Sequence, residues 1–317
     1  MIICLMGPTA SGKTALSITL GQHFPIEIIN VDSALIYRDM DIGTGKPDME
    51  SRKGIPHHLI DIVSPLERYS AAQFRQDALR LIPEILARGR LPVFVGGTML
   101  YFKTLLSGLP EMPPISPEIR QQVELMAEEN GWPALHRQLS KIDPVVAQKV
   151  SSSDQQRIQR ALEVYYASGR SLSTYWSEAV VESFPYSVIS IALVPKYANR
   201  VQLHDRIAQR FEAMLRAGFV DEAESLKSNY KLDLSFPAIR SVGYRQAWLY
   251  LEKQIDFATM KAQAISATRQ LAKRQLTWLR QWKDLHALDF LDTDAINRVS
   301  QLILSFPRRA KSNSIYF

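Results

Sequence analysis

The residues Gly7-Pro8-Thr9-Ala10-Ser11-Gly12-Lys13-Thr14 complete the pattern G-x-x-x-x-G-K-[ST], between an apolar run, Met1 to Met6, and a helix-permissive run, Ala15 to Leu20. An apolar run, a glycine loop and a helix in that order predict an α/β fold with the loop at the carboxyl end of its first strand. The glycines let the backbone turn its N–H groups inward on an anion, and the helix N-terminus adds the positive end of its dipole. Lys13 supplies a point charge, and the Thr14 hydroxyl can ligate Mg²⁺. The loop grips a polyphosphate but specifies neither which one nor its fate. A chance match in a glycine-bearing turn is the competing reading, and the flanking strand and helix argue against it.

With 317 residues the chain can hold a sizeable core and two domains. A composition of 46% hydrophobic and 22% charged residues is that of a globular enzyme, and no window is apolar enough to span a bilayer, so no membrane role is expected. The first strand starts almost at residue 1, which leaves no signal or transit peptide and predicts a cytoplasmic protein. The single cysteine, Cys4, lies inside that strand and reads as a small buried hydrophobe, and there is no Cys/His metal cluster. The net charge of +6 leans toward an anionic partner. Residues 196–283 carry 16 Lys/Arg against 8 Asp/Glu, an excess that covers the whole imbalance and places the partner there. A solvated helical surface is the plain alternative.

Further along, Ile26 to Val31 reads as a buried strand that ends at Asp32-Ser33-Ala34-Leu35. That position puts an acid close to the phosphate loop, as a functional group, a helix N-cap or both. Residues 39–57, rich in Gly and Pro, predict a mobile loop. Ser70 to Gly89 predicts a helix capped by Ser70, with Phe74, Ala78, Leu81 and Ile85 on one face. Leu91 to Val95 is the next strand and stops at Gly96-Gly97-Thr98. An ordinary P-loop NTPase would hold a Mg²⁺-binding acid there. Its absence lowers the odds of a motor-type ATPase and leaves Thr98 with only a hydroxyl to offer. Ile189 to Leu193 supplies a later strand, so the sheet is interrupted.

The interruption opens on Pro110, Pro113, Pro114 and Pro117, and residues 118–178 have helical periodicity. Arg157 and Arg160 share one helical face, which suits phosphate contact as well as solvation. Tyr165, Tyr166, Tyr175 and Trp176 suit either base stacking or a core, the core being commoner at helical spacing. Long amphipathic helices follow over His204 to Ala217 and Lys261 to Trp282. Between them, Arg240 to Arg245 places a Gly and an aromatic between two arginines at a helix start. The last helix interleaves Arg269, Lys273, Arg274 and Arg280 with Trp278 and Trp282, which fits nucleic acid or, for the indoles, a core. The tail from Pro307, with Arg308, Arg309 and Lys311, is expected to be disordered.

These residues together resemble the tRNA dimethylallyltransferase (isopentenyltransferase) family. The motifs that carry the likeness are Gly7 to Thr14, Val31 to Tyr37, Asp41 to Pro47, Gly96 to Tyr101, Gln156-Arg157, Arg160 to Glu163, Arg240 to Gln246 and Thr268 to Gln275. One departure is Gly45, where the family's Gly-Thr-Ala-Lys-Pro has alanine. The resemblance implies a P-loop NTPase-like core, a parallel sheet flanked by helices, with an all-helical insertion. The expected boundaries are 1–112 and 184–290 for the core, 113–183 for a tRNA-binding insertion, and 291–317 for a C-terminal extension with a partly disordered tail.

The activity so implied is transfer of a dimethylallyl group from dimethylallyl diphosphate to N6 of adenosine 37, beside the anticodon of tRNAs reading codons that begin with U. By resemblance Asp32 is the general base, Thr98 positions substrate or leaving group, and Lys13 with the loop and Mg²⁺ on Thr14 holds the departing diphosphate. The implied tRNA contacts are residues Asp32, Ser33, Ala34, Leu35, Thr98, Arg120, Gln156, Arg157, Ile158, Gln159 and Arg160. They continue with Arg240, Ser241, Val242, Gly243, Tyr244, Arg245, Lys273 and Arg274. The partners are the anticodon stem-loop of tRNA and the prenyl diphosphate, and a monomer is expected. A small-molecule kinase, a tRNA-binding module whose loop senses nucleotide, and an adenylate prenyltransferase are the rivals. The helical insertion and basic C-terminal half, superfluous for a mononucleotide acceptor, argue against the last.

Overall fold

The computed structural model describes residues 1–178, 184–196 and 200–306. The expectation of a disordered tail from Pro307 lies outside the described residues. Six parallel strands form one sheet in the order β3-β2-β4-β1-β5-β6: β1 (Ile2–Met6), β2 (Ile26–Val31), β3 (His57–His58), β4 (Leu91–Gly96), β5 (Val188–Val194) and β6 (Leu285–Asp289). Continuous apolar runs make strands buried on both faces, which is what a parallel sheet covered by helices requires. The period of two then sorts each strand between two cores. Ile3, Leu5, Ile28, Val93, Ile191 and Leu193 belong to one apolar cluster, and Ile2, Cys4, Met6, Ile29, Val31 and Phe94 to the other. Cys4 is fully buried, and that burial pushes its thiol up.

One face is covered by α1 (Lys13–His23), α9 (Arg200–Arg216), α12 (Phe257–Arg280) and α13 (Ala295–Ser305), and the other by α2 (Ala71–Ala87) and α3 (Met99–Ser107). Ser70 caps α2 as expected, in a reciprocal capping box with Gln73. A third apolar cluster joins Phe211, Phe219, Tyr244 and Met260 across α9, α10 (Phe219–Asn229), α11 (Tyr244–Leu251) and α12.

Three features differ from the sequence expectation. The edge strands β3 and β6 are short and partly exposed, so neither carries the apolar signature of a central strand. Residues 291–306 are no extension, because Ala295, Val299 and Ile303 of α13 bury themselves against the sheet core. The stretch 39–57 is irregular, as expected, but it is held: the Lys46 ammonium donates to Tyr37 O at 2.9 Å and pairs with Asp41 and Asp61.

The chain divides into two compact units, one of Met1–Leu106 with Phe184–Phe317 and one of Ser107–Ser183. The second contains α4 (Pro117–Asn130), α5 (Trp132–Ile142), α6 (Pro144–Ala147), α7 (Gln155–Ser168) and α8 (Leu172–Glu178) around their own core of Val123, Leu135, Leu139, Ile158 and Leu162. Buried Asp143 ties three of these helices together by accepting from the N–H of Val146 and of Ser173. No helix among the described residues is long and apolar enough to cross a membrane.

Candidate active site

The glycine loop leaves β1 at Gly7, whose φ is 153°, and a Cβ there would lie 2.6 Å from Leu193 O. Only glycine lets the loop pass so close to the end of β5. Lys13 opens α1 and curls over its own loop, donating to Pro8 O at 2.7 Å. Burial lowers its ammonium to about 7; the charge of Asp32 opposes the shift and that of Arg210 adds to it. Ser11 is 1% exposed, and its Oγ has no hydrogen-bond partner among the described residues.

Asp32 follows the last residue of β2. Buried Asn30 shapes that corner: its Nδ2 donates to Asp32 O at 3.0 Å and Leu59 O at 2.9 Å, and its Oδ1 accepts from Asp32 N–H. The Asp32 Oδ1 accepts from Ala34 N–H at 2.9 Å, an N-cap-like bond that fixes the carboxylate. Thr98 reaches the same corner from β4, its N–H donating to Val31 O at 3.1 Å and its Oγ1 accepting from Ser33 N–H at 3.1 Å. Asp32 and Thr98 therefore share one corner at the carboxyl ends of neighbouring strands.

Two residues outside the expected set lock the surroundings. Gln275 of α12 accepts from Thr9 N–H through Oε1 and donates to Gly97 O through Nε2, both at 2.9 Å, tying the phosphate loop to the end of β4. Glu222 of α10 accepts from the N–H groups of Asp41, Ile42 and Gly43 and from the Tyr244 hydroxyl. Next to it, Arg210 of α9 donates to Thr44 O at 3.0 Å. A Cβ on Gly45, with φ of 65°, would meet the Arg210 guanidinium at 2.1 Å, so the departure at Gly45 accompanies a close approach of that side chain.

Two cavities meet at this corner. The inner one, about 110 Å³, is lined by Thr9 and Ala10 of the loop, Asp32, Arg210 and the apolar Ile207, Phe211 and Met214. The outer one, about 360 Å³, is lined by Asp32, Thr98, Leu100, Arg240, Arg274 and Trp278. Asp32, Ala34, Ser241, Val242, Leu271 and Gln275 border both. An aspartate between a phosphate-loop cavity and a basic, aromatic-rimmed one has the place and the chemistry of a general base toward a group reaching in from the outer side.

The expected RNA contacts divide by environment. Ser33, Arg240, Lys273 and Arg274 are exposed, and all but Lys273 line the outer cavity. Arg245 is exposed but borders neither cavity, and Leu35 is half-buried. Tyr244 is 1% exposed, and its hydroxyl, raised by burial and by Glu222, is committed to that carboxylate. Its side chain builds the core; with Gly243 it lines the inner cavity rather than the outer one. Within the second unit, Gln156 and Arg157 are exposed, while Ile158 is fully buried in the helical core. Gln159 donates to Glu124, and Arg120 and Arg160 both lie within 4 Å of buried Glu163, at 3.5 and 3.9 Å. Of the other aromatics, Tyr166 and Tyr175 pack on that core and Trp176 is 44% exposed. Gln275 lies inside a motif that the sequence singles out, but its pairing is visible only once α12 crosses the loop. Arg210 and Glu222 carried no local signal beyond being charged residues on amphipathic helices.

Known proteins share this architecture. A sequence profile of the IPP transferase family matches residues 35–282, and one of the isopentenyl transferases matches residues 1–62. The chain is 50% identical to a tRNA dimethylallyltransferase of Nitrosomonas eutropha over 309 residues, 98% of this chain and 96% of the relative. The crystal structure of the tRNA isopentenylpyrophosphate transferase of Bacillus halodurans superposes with a TM-score of 0.70 at 34% identity, covering 96% of this chain and 95% of the other. That of a eukaryotic dimethylallyltransferase acting on tRNA gives a TM-score of 0.80 at 28% identity, covering 98% and 81%.

Proposed function

The chain belongs to the IPP transferase family, and from that premise we propose that it moves a dimethylallyl group from dimethylallyl diphosphate to tRNA, at N6 of adenosine 37 beside the anticodon of tRNAs reading codons that begin with U. The observation that carries this reading is the position of Asp32, which borders both the phosphate-loop cavity and the basic outer one. The donor lies in the inner cavity with its diphosphate on the loop N–H groups, the Lys13 ammonium and the Ser11 hydroxyl. The guanidinium of Arg210 faces the same space, and Ile207, Phe211 and Met214 take the five-carbon chain.

An allylic diphosphate reacts with its C–O bond largely broken, so the residues that hold the departing diphosphate's charge lower the barrier. The target base lies in a stacked loop and has to be extracted to reach the outer cavity. There its exocyclic amine, a poor nucleophile, attacks the allylic carbon and gives up a proton to the Asp32 carboxylate. The Thr98 hydroxyl, fixed beside Ser33, positions the incoming amine. Among the described residues no group of three or more His, Cys, Asp or Glu side chains could hold a metal, while Thr14 is exposed at the first turn of α1. The exposed Thr14 hydroxyl fits Mg²⁺, which Thr14 would hold with the help of substrate phosphate oxygens and which would supply charge neutralisation there. The protein is proposed to act as a cytoplasmic monomer.

Incubation with dimethylallyl diphosphate, ATP and an anticodon stem-loop RNA tests the reading by mass analysis of all three. The RNA is expected to gain one dimethylallyl group, with diphosphate released and ATP intact. Phosphoryl transfer from ATP without prenylation, or prenylation of added AMP but not of RNA, would overturn it.

A further inference from the structure

The outer cavity has a rim that the transfer chemistry leaves unused. At the start of α3, Met99, Tyr101 and Phe102 are 3%, 6% and 0% exposed, whereas Leu100 between them is 49% exposed and lines the cavity. The two indoles, Trp278 in the last turn of α12 and Trp282 just beyond its end, part company. Trp282 packs edge-on against Phe102 in the core, while Trp278 is 38% exposed on the same rim as Leu100. The Lys103 ammonium lies 5.8 Å from the centre of the Trp278 ring, and exposed Arg240 and Arg274 border the cavity beside it. Asp32 and Thr98 border the same cavity.

An apolar side chain and an indole exposed together, ringed by cations, match a polyanion that carries flat apolar faces. Resting on the transfer reading above, we propose that Leu100 and Trp278 form a stack-opening rim for RNA. Leu100 is the wedge that enters the gap left when the target base is drawn out, and Trp278 is the platform on which a neighbouring base stacks. Extracting a base leaves its neighbours unstacked, and an inserted apolar side chain restores part of the lost contact. Stacking on an indole is tolerant of base identity, and Lys103, Arg240 and Arg274 supply the phosphate attraction that holds the strand against it. The two roles are separable, because a wedge matters only where a stack has to be opened.

The test compares an anticodon stem-loop RNA with a short unstructured oligonucleotide containing the same adenosine, using wild type, Leu100→Ala, Leu100→Met and Trp278→Ala. Transfer by Leu100→Ala to the stem-loop is expected to fall about ten-fold, with the single strand within about two-fold of wild type, and Leu100→Met to recover most of the loss. Trp278→Ala is expected to weaken binding of both RNAs about ten-fold. Equal losses on the two RNAs for Leu100→Ala, or no loss on the stem-loop, would overturn the wedge. Unchanged RNA affinity in Trp278→Ala would overturn the platform. Wild-type protein that transfers nothing to either RNA would overturn the transfer reading, and this inference with it.

Discussion

Lys13 carries two demands that pull in opposite directions. The loop buries it against Pro8 O, which lowers its ammonium to about 7, yet a diphosphate needs it charged. The ligand's own charge resolves the conflict by raising the group again on binding. Protonation of Lys13 is therefore expected to accompany binding of inorganic diphosphate near pH 8, so that wild type takes up more protons than a Lys13→Arg protein under the same conditions. Calorimetry in two buffers of different ionisation enthalpy measures that uptake directly. Relative to a Lys13→Arg protein, whose guanidinium stays charged, wild-type affinity falls as pH rises above about 7. Gln275 works by geometry rather than charge. Gln275→Leu leaves Thr9 N–H and Gly97 O unpaired, and a hydrogen-bonding group buried without its partner costs about 1–3 kcal/mol of stability. The same change loosens the loop, so KM for the prenyl diphosphate rises while RNA affinity is held.

Among the elements, β2 shows how much of the fold was legible and why the rest was not. Its apolar run predicts a buried strand over Ile26 to Val31, and the strand occupies those residues. Its partner β3 escaped because two histidines carry no apolar alternation. The two are joined by Glu27, 2% exposed, whose carboxylate accepts from Arg88 Nε and Nη2, each at 2.8 Å, and lies 2.6 Å from the His58 ring. Those bonds hold its carboxyl down at about 2, against an ordinary 4.5. A depressed carboxyl stabilises the fold above its unfolded value and loses that contribution as pH falls, here between about 4.5 and about 2. Glu27→Gln is expected to lower stability by about 2 kcal/mol at neutral pH, with the difference from wild type shrinking through that window. Urea unfolding at several pH values measures it. Helices α1, α2 and α12 were equally legible, from a glycine loop, a Ser70 cap and a basic amphipathic run. What α12 contributes to the site, Gln275 and Trp278, depends on which strand ends it crosses, and no local pattern encodes that.

In the whole molecule, the phosphate loop fixed the fold class because its strand, loop and helix admit few alternatives, and the alternation along β1, β2, β4 and β5 supplied the two cores. The placement of single residues at strand ends was legible, as for Asp32 and Thr98, which share one corner and line one cavity. Placement was not legible where a helix from the distant basic half closes the site, as for Arg210 and Glu222. Residues such as Ile158 and Tyr244 show the converse: the resemblance marks them as RNA contacts, and the fold buries their side chains in its cores. In the proposed reading those pieces form a leaving-group clamp and an acceptor cavity with Asp32 on the border of both. Asp32→Ala therefore tests the account most directly, with single-turnover transfer to stem-loop RNA measured beside the affinities for RNA and for the prenyl diphosphate. The expected result is a loss of about 10²-fold or more in turnover, with both affinities within a few-fold of wild type. Turnover near the wild-type rate with both substrates bound would contradict it.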